Sequence, residues 1–331
     1  MDAMKPRNVA ILGATGAVGR EMLKVLQERD FPIDRLRLLA SARSAGKEID
    51  DHVVEEATES SFSGMDIVLG AASNDLARRF APCIREAGAV FVDNSSAFRL
   101  CDDVPLVVPE INPQDAGKHN GIIANPNCST IIALTAVHAL NRLSPIEAIT
   151  ASTYQAVSGA GAGGLAELEQ QVRDSAAGKP LRAEVFPYQI AFNLIPQIGS
   201  PSDGGYTTEE MKMQNEGRKI LHLPGLKVTC TCVRVPVLRS HSISLSVRTR
   251  EKISVNAARA AIAEAAGCRL VDDLSERRYP MPLETSDQDL VFVGRIRDDL
   301  VDARALALWC AGDQIRKGAA TNAVQIAQLL L

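Results

Sequence analysis

No apolar run in the chain is long enough to span a bilayer, and Met1-Asp2-Ala3-Met4-Lys5 has neither the basic nor the apolar region of an export signal. A membrane protein is set aside, and the expected location is the cytoplasm. A basic excess is missing too: 36 lysines and arginines stand against 40 acidic residues, and a net charge of −4 offers nucleic acid no attractive surface. The seven cysteines, at 83, 101, 128, 230, 232, 268 and 310, have neither the paired spacing of a zinc site nor that of a secreted disulfide framework, so no metal is expected. Internal repeats and low-complexity tracts are absent. What remains is an ordinary globular composition, 46% hydrophobic and 23% charged over 331 residues, enough for two domains with cores of their own.

Near the N-terminus, Val9-Ala10-Ile11-Leu12 reads as a short buried strand, Gly13-Ala14-Thr15-Gly16-Ala17-Val18-Gly19 as a glycine turn, and Arg20 to Leu26 as a helix. The spacing is G-x-x-G-x-x-G rather than G-x-G-x-x-G. Each glycine can still do its part: a tight turn, close approach to a pyrophosphate, close packing of helix on strand. The next strand, Arg35 to Ala40, ends where a dinucleotide fold reads its ribose, and no Asp or Glu stands there. The chain offers Ser41-Ala42-Arg43-Ser44 instead. A guanidinium and a hydroxyl suit a 2′-phosphate that a carboxylate would repel, so NADP(H) is preferred to NAD(H).

Alternating strand-like and helix-like segments continue through Asp66 to Leu69, Leu76 to Ala87 and Ala89 to Asp93, which predicts an α/β fold with a parallel sheet covered on both faces. The second part differs. Strands at Ile146 to Tyr154, Lys227 to Val237 and Ile243 to Arg248, with helices at Leu165 to Ala177 and Thr208 to Leu221, predict an α+β domain with a mainly antiparallel sheet. Pro187 to Tyr206 is a long irregular connection, of the kind that serves a domain edge or a subunit contact. Gly318 to Leu331 has helical apolar spacing and is expected to return to the first domain.

Cys128 follows Asn125-Pro126-Asn127 and opens the apolar run Ile131 to Val137, which places a thiol on the first turn of a helix with Asn127 as N-cap. Free N–H groups and the helix dipole there favour thiolate. Cys230 and Cys232 alternate onto one face of a strand and read as core. A thiolate beside a nicotinamide can form a hemithioacetal, pass hydride to give a thioester, and release an acyl phosphate, or run the reverse. Such a site needs a proton-transfer partner, oxyanion donors and cations for phosphate and carboxylate. His241, one of five histidines, stands at a turn between two strands; Arg234 lies on a strand between apolar Val233 and Val235; Gln155 offers an amide that does not titrate.

The glycine turn, Ala42-Arg43-Ser44-Ala45-Gly46-Lys47, Asn94-Ser95-Ser96-Ala97-Phe98-Arg99, Asn125 to Thr130, Tyr154 to Gly161, Glu209-Glu210-Met211-Lys212, Arg234-Val235-Pro236-Val237 and Arg239-Ser240-His241 occur in one order. In that order they resemble the bacterial aspartate-semialdehyde dehydrogenases over essentially the full length. The resemblance implies a Rossmann-type NADP-binding domain at 1–126, completed by 305–331, and a catalytic and dimerisation domain at 127–304. It implies Cys128 as nucleophile, His241 as acid/base, Gln155 as the residue positioning substrate and acyl intermediate, Arg234 as clamp on the substrate α-carboxylate, and Glu209 as partner of its amino group. Arg99 and Lys212 become a phosphate-binding pair. Gly13, Thr15, Gly16, Ala17, Val18, Arg43, Ser44, Ser158, Gly159 and Gln314 become NADP contacts.

The implied reaction is the reversible NADPH-dependent reduction of L-aspartyl 4-phosphate to L-aspartate 4-semialdehyde and phosphate, on the route to diaminopimelate, lysine, threonine, methionine and isoleucine. The implied assembly is a homodimer or a dimer of dimers. Two alternatives stay open: another acyl-phosphate reductase such as the N-acetyl-glutamyl-phosphate enzyme, and a non-catalytic nucleotide-binding regulator.

Overall fold

A computed structural model describes residues 5–331. Residues 1–4, on which most of the export-signal reading rests, lie outside the described residues. The chain forms two compact units: one from residues up to Asn127 together with Ala319–Leu331, the other from Cys128–Gly318.

The first unit is built on strands β1 (Arg7–Leu12), β2 (Ile33–Ala40), β3 (Glu48–Ile49), β4 (His52–Glu56), β5 (Ile67–Gly70), β6 (Val90–Asp93) and β7 (Ile122–Ala124). They lie in the order β3-β4-β2-β1-β5-β6-β7, and all pairings except the β3–β4 hairpin are parallel. Central strands buried on both faces explain the unbroken apolar runs of β1 and β5. Helix α1 (Ala17–Glu28) buries Met22, Leu23, Val25 and Leu26, while α2 (Asn74–Glu86) buries Ala77, Phe80, Ala81 and Ile84. Ser73 caps α2 by accepting the Leu76 N–H at 3.4 Å.

The second unit opens with α3 (Cys128–Leu143) and continues through β8 (Ile146–Gln155), α4 (Gly161–Ala176), α5 (Thr208–Ile220), β9 (Lys227–Arg234), β10 (His241–Thr249), α6 (Val255–Ala263), β11 (Cys268–Leu270), α7 (Pro282–Thr285), β12 (Val291–Asp298) and β13 (Ala305–Gly312). The sheet runs β11-β12-β13-β10-β8-β9. Its three inner pairings are antiparallel, β12 with β13, β13 with β10 and β10 with β8, while the two edge pairings, β11–β12 and β8–β9, are parallel. Helix α3 packs on this sheet with α5 and α6 alongside, and its residues 129 to 140 are all buried, which is why its apolar residues lie on every side. Thr207 and Glu210 form a capping box at the start of α5.

Residues 178–195 have no regular structure and are tied to α4 by two buried side chains. Glu167 accepts the Glu184 and Val185 N–H groups, and Gln171 accepts those of Ile190 and Ala191 at 3.0 and 2.9 Å. Cys230 and Cys232 are buried on one face of β9 with sulfurs 3.7 Å apart.

The chain returns to the first unit through α8 (Thr321–Gln328), whose Ala323, Val324, Ile326 and Ala327 belong to the same core as Val9, Ile11, Met22 and Leu26. The return matches the helical spacing from Gly318 and begins later than the 305–331 segment that the resemblance implies. Residues 305–312 are a strand of the second sheet, where Leu306, Leu308 and Cys310 are buried and the register with β10 is unbroken. Among the described residues no helix is long and apolar enough to cross a membrane, and no cluster of three His, Cys, Asp or Glu could hold a metal ion.

Candidate active site

Three adjacent strands of the second unit end at one edge of the sheet. Parallel β8 and β9 finish there with Gln155 opposite Arg234, and antiparallel β10 starts there with His241. Gln155 donates from Nε2 to Ser129 Oγ at 2.6 Å, which brings the first turn of α3, and so Cys128, to the same edge. It also donates to Glu209 Oε1 at 3.4 Å, and Lys212 bonds the other Glu209 oxygen at 2.8 Å across one turn of α5.

The backbone of Ala156 orients two of these side chains. Its carbonyl accepts Arg234 Nη1 at 2.7 Å, and its N–H donates to His241 Nδ1 at 3.1 Å. A ring whose Nδ1 accepts a hydrogen bond carries its proton on Nε2 when neutral. His241 is fully buried, and Nε2 has no hydrogen-bond partner among the described residues. Burial and the neighbouring Arg234 guanidinium pull its pKa from 6.5 to about 3, against a smaller opposing pull from Glu209. Burial also lowers the pKa of Arg234, opposed by Cys128, Glu209 and Cys232. The guanidinium is therefore within electrostatic reach of both the sulfur and the Glu209 carboxylate.

Ser158 and Gly159 lie in the turn after β8. A Cβ at Gly159 would stand 2.8 Å from Arg234 Nη1 and 3.3 Å from His241 Cε1, so only glycine leaves both side chains where they are. Gly318 does the same behind the thiol, since a Cβ there would lie 2.9 Å from Cys128 Cβ. Gln314 is buried, with Oε1 accepting the Ser240 N–H at 2.9 Å and Nε2 donating to Ser158 Oγ.

The remaining candidates belong to the first unit. Gly13 adopts φ +89°, and a Cβ there would strike the Ala71 carbonyl; one at Gly19 would strike the Gly13 carbonyl. Thr15 and Gly16 complete the turn, Ala17 and Val18 open α1, and the first turn of α1 carries no acidic side chain. This is a helix N-terminus open to an anion, with backbone close enough for a pyrophosphate. Arg43 and Ser44 sit in a short 3-10 turn after β2, with Arg43 exposed and Ser44 buried. These residues fit a dinucleotide. Arg99 is buried after β6, where Nε donates to the Asn125 carbonyl at 2.9 Å and Nη2 to that of Asn94 at 2.7 Å.

The structure thus gathers Cys128, Gln155, Ser158, Gly159, Glu209, Lys212, Arg234, His241 and Gln314 in one unit, and the glycine turn, Arg43, Ser44 and Arg99 in the other. Sequence reasoning missed Ser129 as the partner of Gln155 and Ala156 as the pivot for Arg234 and His241. A backbone group leaves no trace in residue type, although both residues adjoin ones that were singled out.

Residues 8–119 match the family model described as semialdehyde dehydrogenase, NAD binding domain, and residues 137–317 the one described as semialdehyde dehydrogenase, dimerisation domain. An aspartate-semialdehyde dehydrogenase from Synechocystis sp. is 50% identical over 330 residues, 98% of each chain. The crystal structure of aspartate semialdehyde dehydrogenase II complexed with ASA from Vibrio cholerae has a TM-score of 0.94 at 44% identity, again over 98% of each chain. That of an aspartate semialdehyde dehydrogenase with NADP from Candida albicans has a TM-score of 0.77 at 26% identity over 98% of each chain. Matches of this extent, made over a thiol at a helix start, a buried imidazole and a glycine turn, leave one conclusion: the chain belongs to the aspartate-semialdehyde dehydrogenase family.

Proposed function

We propose that the chain catalyses the reversible, NADPH-dependent reduction of L-aspartyl 4-phosphate to L-aspartate 4-semialdehyde and phosphate through a thioester on Cys128. The observation that carries this reading is the convergence of Cys128, Gln155, Glu209, Arg234 and His241 on one sheet edge. The thiolate, favoured by the start of α3 and the Arg234 guanidinium, attacks the acyl carbon, and phosphate leaves. Bound NADPH supplies the hydride that the thioester carbon accepts. The resulting hemithioacetal oxyanion then collapses to aldehyde and returns the sulfur as thiolate.

Through both tetrahedral stages, His241 Nε2–H is the hydrogen-bond donor for the oxygen that becomes negative. Neither stage requires the ring to titrate, which narrows the acid/base role expected of it. Arg234 presents a planar fork for the substrate α-carboxylate, Glu209 takes the amino group, and Gln155 orients the acyl carbon. Lys212, bonded to Glu209, is the second unit's candidate cation for the phosphate, and Arg99 is the candidate that the first unit offers. Arg43 and Ser44, with no carboxylate at the end of β2, favour NADP over NAD, and the Candida albicans relative bound to NADP supports that choice. The dimerisation model over 137–317 supports a homodimer; a tetramer made from it and a place in the cytoplasm are part of the same proposal.

The test is phosphate-dependent reduction of NADP by aspartate semialdehyde, with N-acetyl-glutamate semialdehyde run alongside. Cys128→Ala should abolish turnover while NADP binding by fluorescence titration is kept. Full turnover by that variant, or preference for the acetylated substrate, would overturn the reading.

A further inference from the structure

Arg239 and Ser240 precede the imidazole in the Arg239-Ser240-His241 segment, and the reaction scheme gives neither a task. Ser240 is fully buried at φ +75°, a left-handed conformation that a residue other than glycine holds only when its surroundings enforce it. Each atom that enforces it comes from one of two places. The Ser240 N–H donates to Gln314 Oε1 at 2.9 Å, and its hydroxyl bonds that of Thr285 in α7. Arg239 Nε meets Asp313 Oδ2 at 2.6 Å, and its Nη1 meets Asp287 at 2.8 Å.

Asp313 is the centre of this arrangement. It is fully buried, and besides the ion pair with Arg239 its carboxylate accepts the N–H groups of Asp287 at 2.7 Å, Ile315 at 2.8 Å and Arg316 at 3.1 Å. Its carbonyl accepts the N–H of Gly318 at 2.9 Å, and Gly318 is the residue packed against Cys128 Cβ. Residues 313 and 314 reach the 239–240 turn because His241 pairs with Gly312 in the sheet. One side runs to the imidazole, the other to the back of the thiol.

We infer that Asp313 is a positioning residue for His241: through Arg239, and with Gln314, it holds Ser240 in the left-handed turn from which Nε2 is aimed. This deepens the proposed function and rests on it for the readout of turnover, but not for the geometry. The ring is held by a single bond from Ala156, so a turn that relaxes lets Nδ1 leave that N–H and Nε2 leave the reacting oxygen.

The experiment compares wild type, Asp313→Asn and Arg239→Lys in phosphate-dependent NADP reduction, together with imidazole ¹⁵N spectra in which His241 is assigned by its loss in His241→Gln. Wild type should give the Nε2–H tautomer. Asp313→Asn should lower kcat about 100-fold, the scale of a small misplacement of a working group, with KM for semialdehyde and phosphate changed less than about threefold. Its His241 resonances should move toward tautomer averaging, and Arg239→Lys, which keeps the charge and loses the fork, should fall between. A folded Asp313→Asn protein with unchanged kcat, or one whose kcat falls while the His241 resonances stay in place, would overturn the inference. Should Asp313→Asn fail to fold, Arg239→Lys carries both measurements. An inactive wild type would count against the reaction, while the ¹⁵N comparison would still decide the positioning role.

Discussion

His241 carries the sharpest consequences of a single side chain. Its ordinary pKa of 6.5 in the unfolded chain becomes about 3 in the folded one, because burial and the Arg234 charge oppose imidazolium. Between those two values the unfolded state binds a proton that the folded state does not. Acidification through pH 6.5 toward 3 therefore withdraws stability, by up to about 1.4 kcal/mol per pH unit, and the contribution is constant once the pH is well above 6.5. Urea midpoints at pH 5 and pH 7 check this: His241→Gln should flatten the difference, and an unaltered slope would mean that other groups account for it. Arg234, Glu209 and the Gly159 backbone face the ring in this balance. The residues themselves were legible in the sequence, since Cys128, Gln155, Arg234 and His241 were all selected by local context. The direction of the His241 proton was not, because it depends on the Ala156 N–H, a group every residue except proline possesses.

At the scale of elements, the glycine turn and α1 could be read directly because the fold needs glycine at fixed places along a few consecutive residues. Helix α3 was read equally well from its apolar run. Its packing predicts a clear cost: Leu134 is fully buried and faces Gly217 of α5, so Leu134→Ala should lower stability by about 3 kcal/mol through lost burial and a cavity that glycine cannot fill. Urea unfolding measures it; a loss below about 1 kcal/mol would mean that the α3–α5 contact closes around the gap. Strand β13 was harder. Ala305-Leu306-Ala307-Leu308 is made of good helix formers, and only the partner strands β10 and β12 turn its alternation into a sheet. The Arg239–Asp313 ion pair was invisible for the same reason, since it exists by virtue of a register between strands far apart in the chain.

On the scale of the whole molecule, two units with separate cores can be followed separately. Trp309 is the single tryptophan, stacked on Tyr154 with ring centroids 5.4 Å apart and bonded to the Pro280 carbonyl at 3.0 Å, all within the second unit. Its fluorescence thus reports that unit alone. The first unit is the one divided in sequence, and Ala320 with Ala323, Val324, Ile326 and Ala327 of α8 joins a core whose other buried members lie between residues 9 and 123. Removing residues 319–331 should leave Trp309 emission native while NADP binding is lost and α1 becomes sensitive to protease. Retained NADP affinity in that truncation would show that α8 is dispensable.

The same division sets an order of events during synthesis. A ribosome that has made the glycine turn, the thiol and the imidazole has still to make α8, the last wall of the first unit. A nascent or prematurely terminated chain can thus hold every group of the proposed chemistry and yet be unable to grip its reductant. The residues of the proposed chemistry are laid down before the core of the first unit can close.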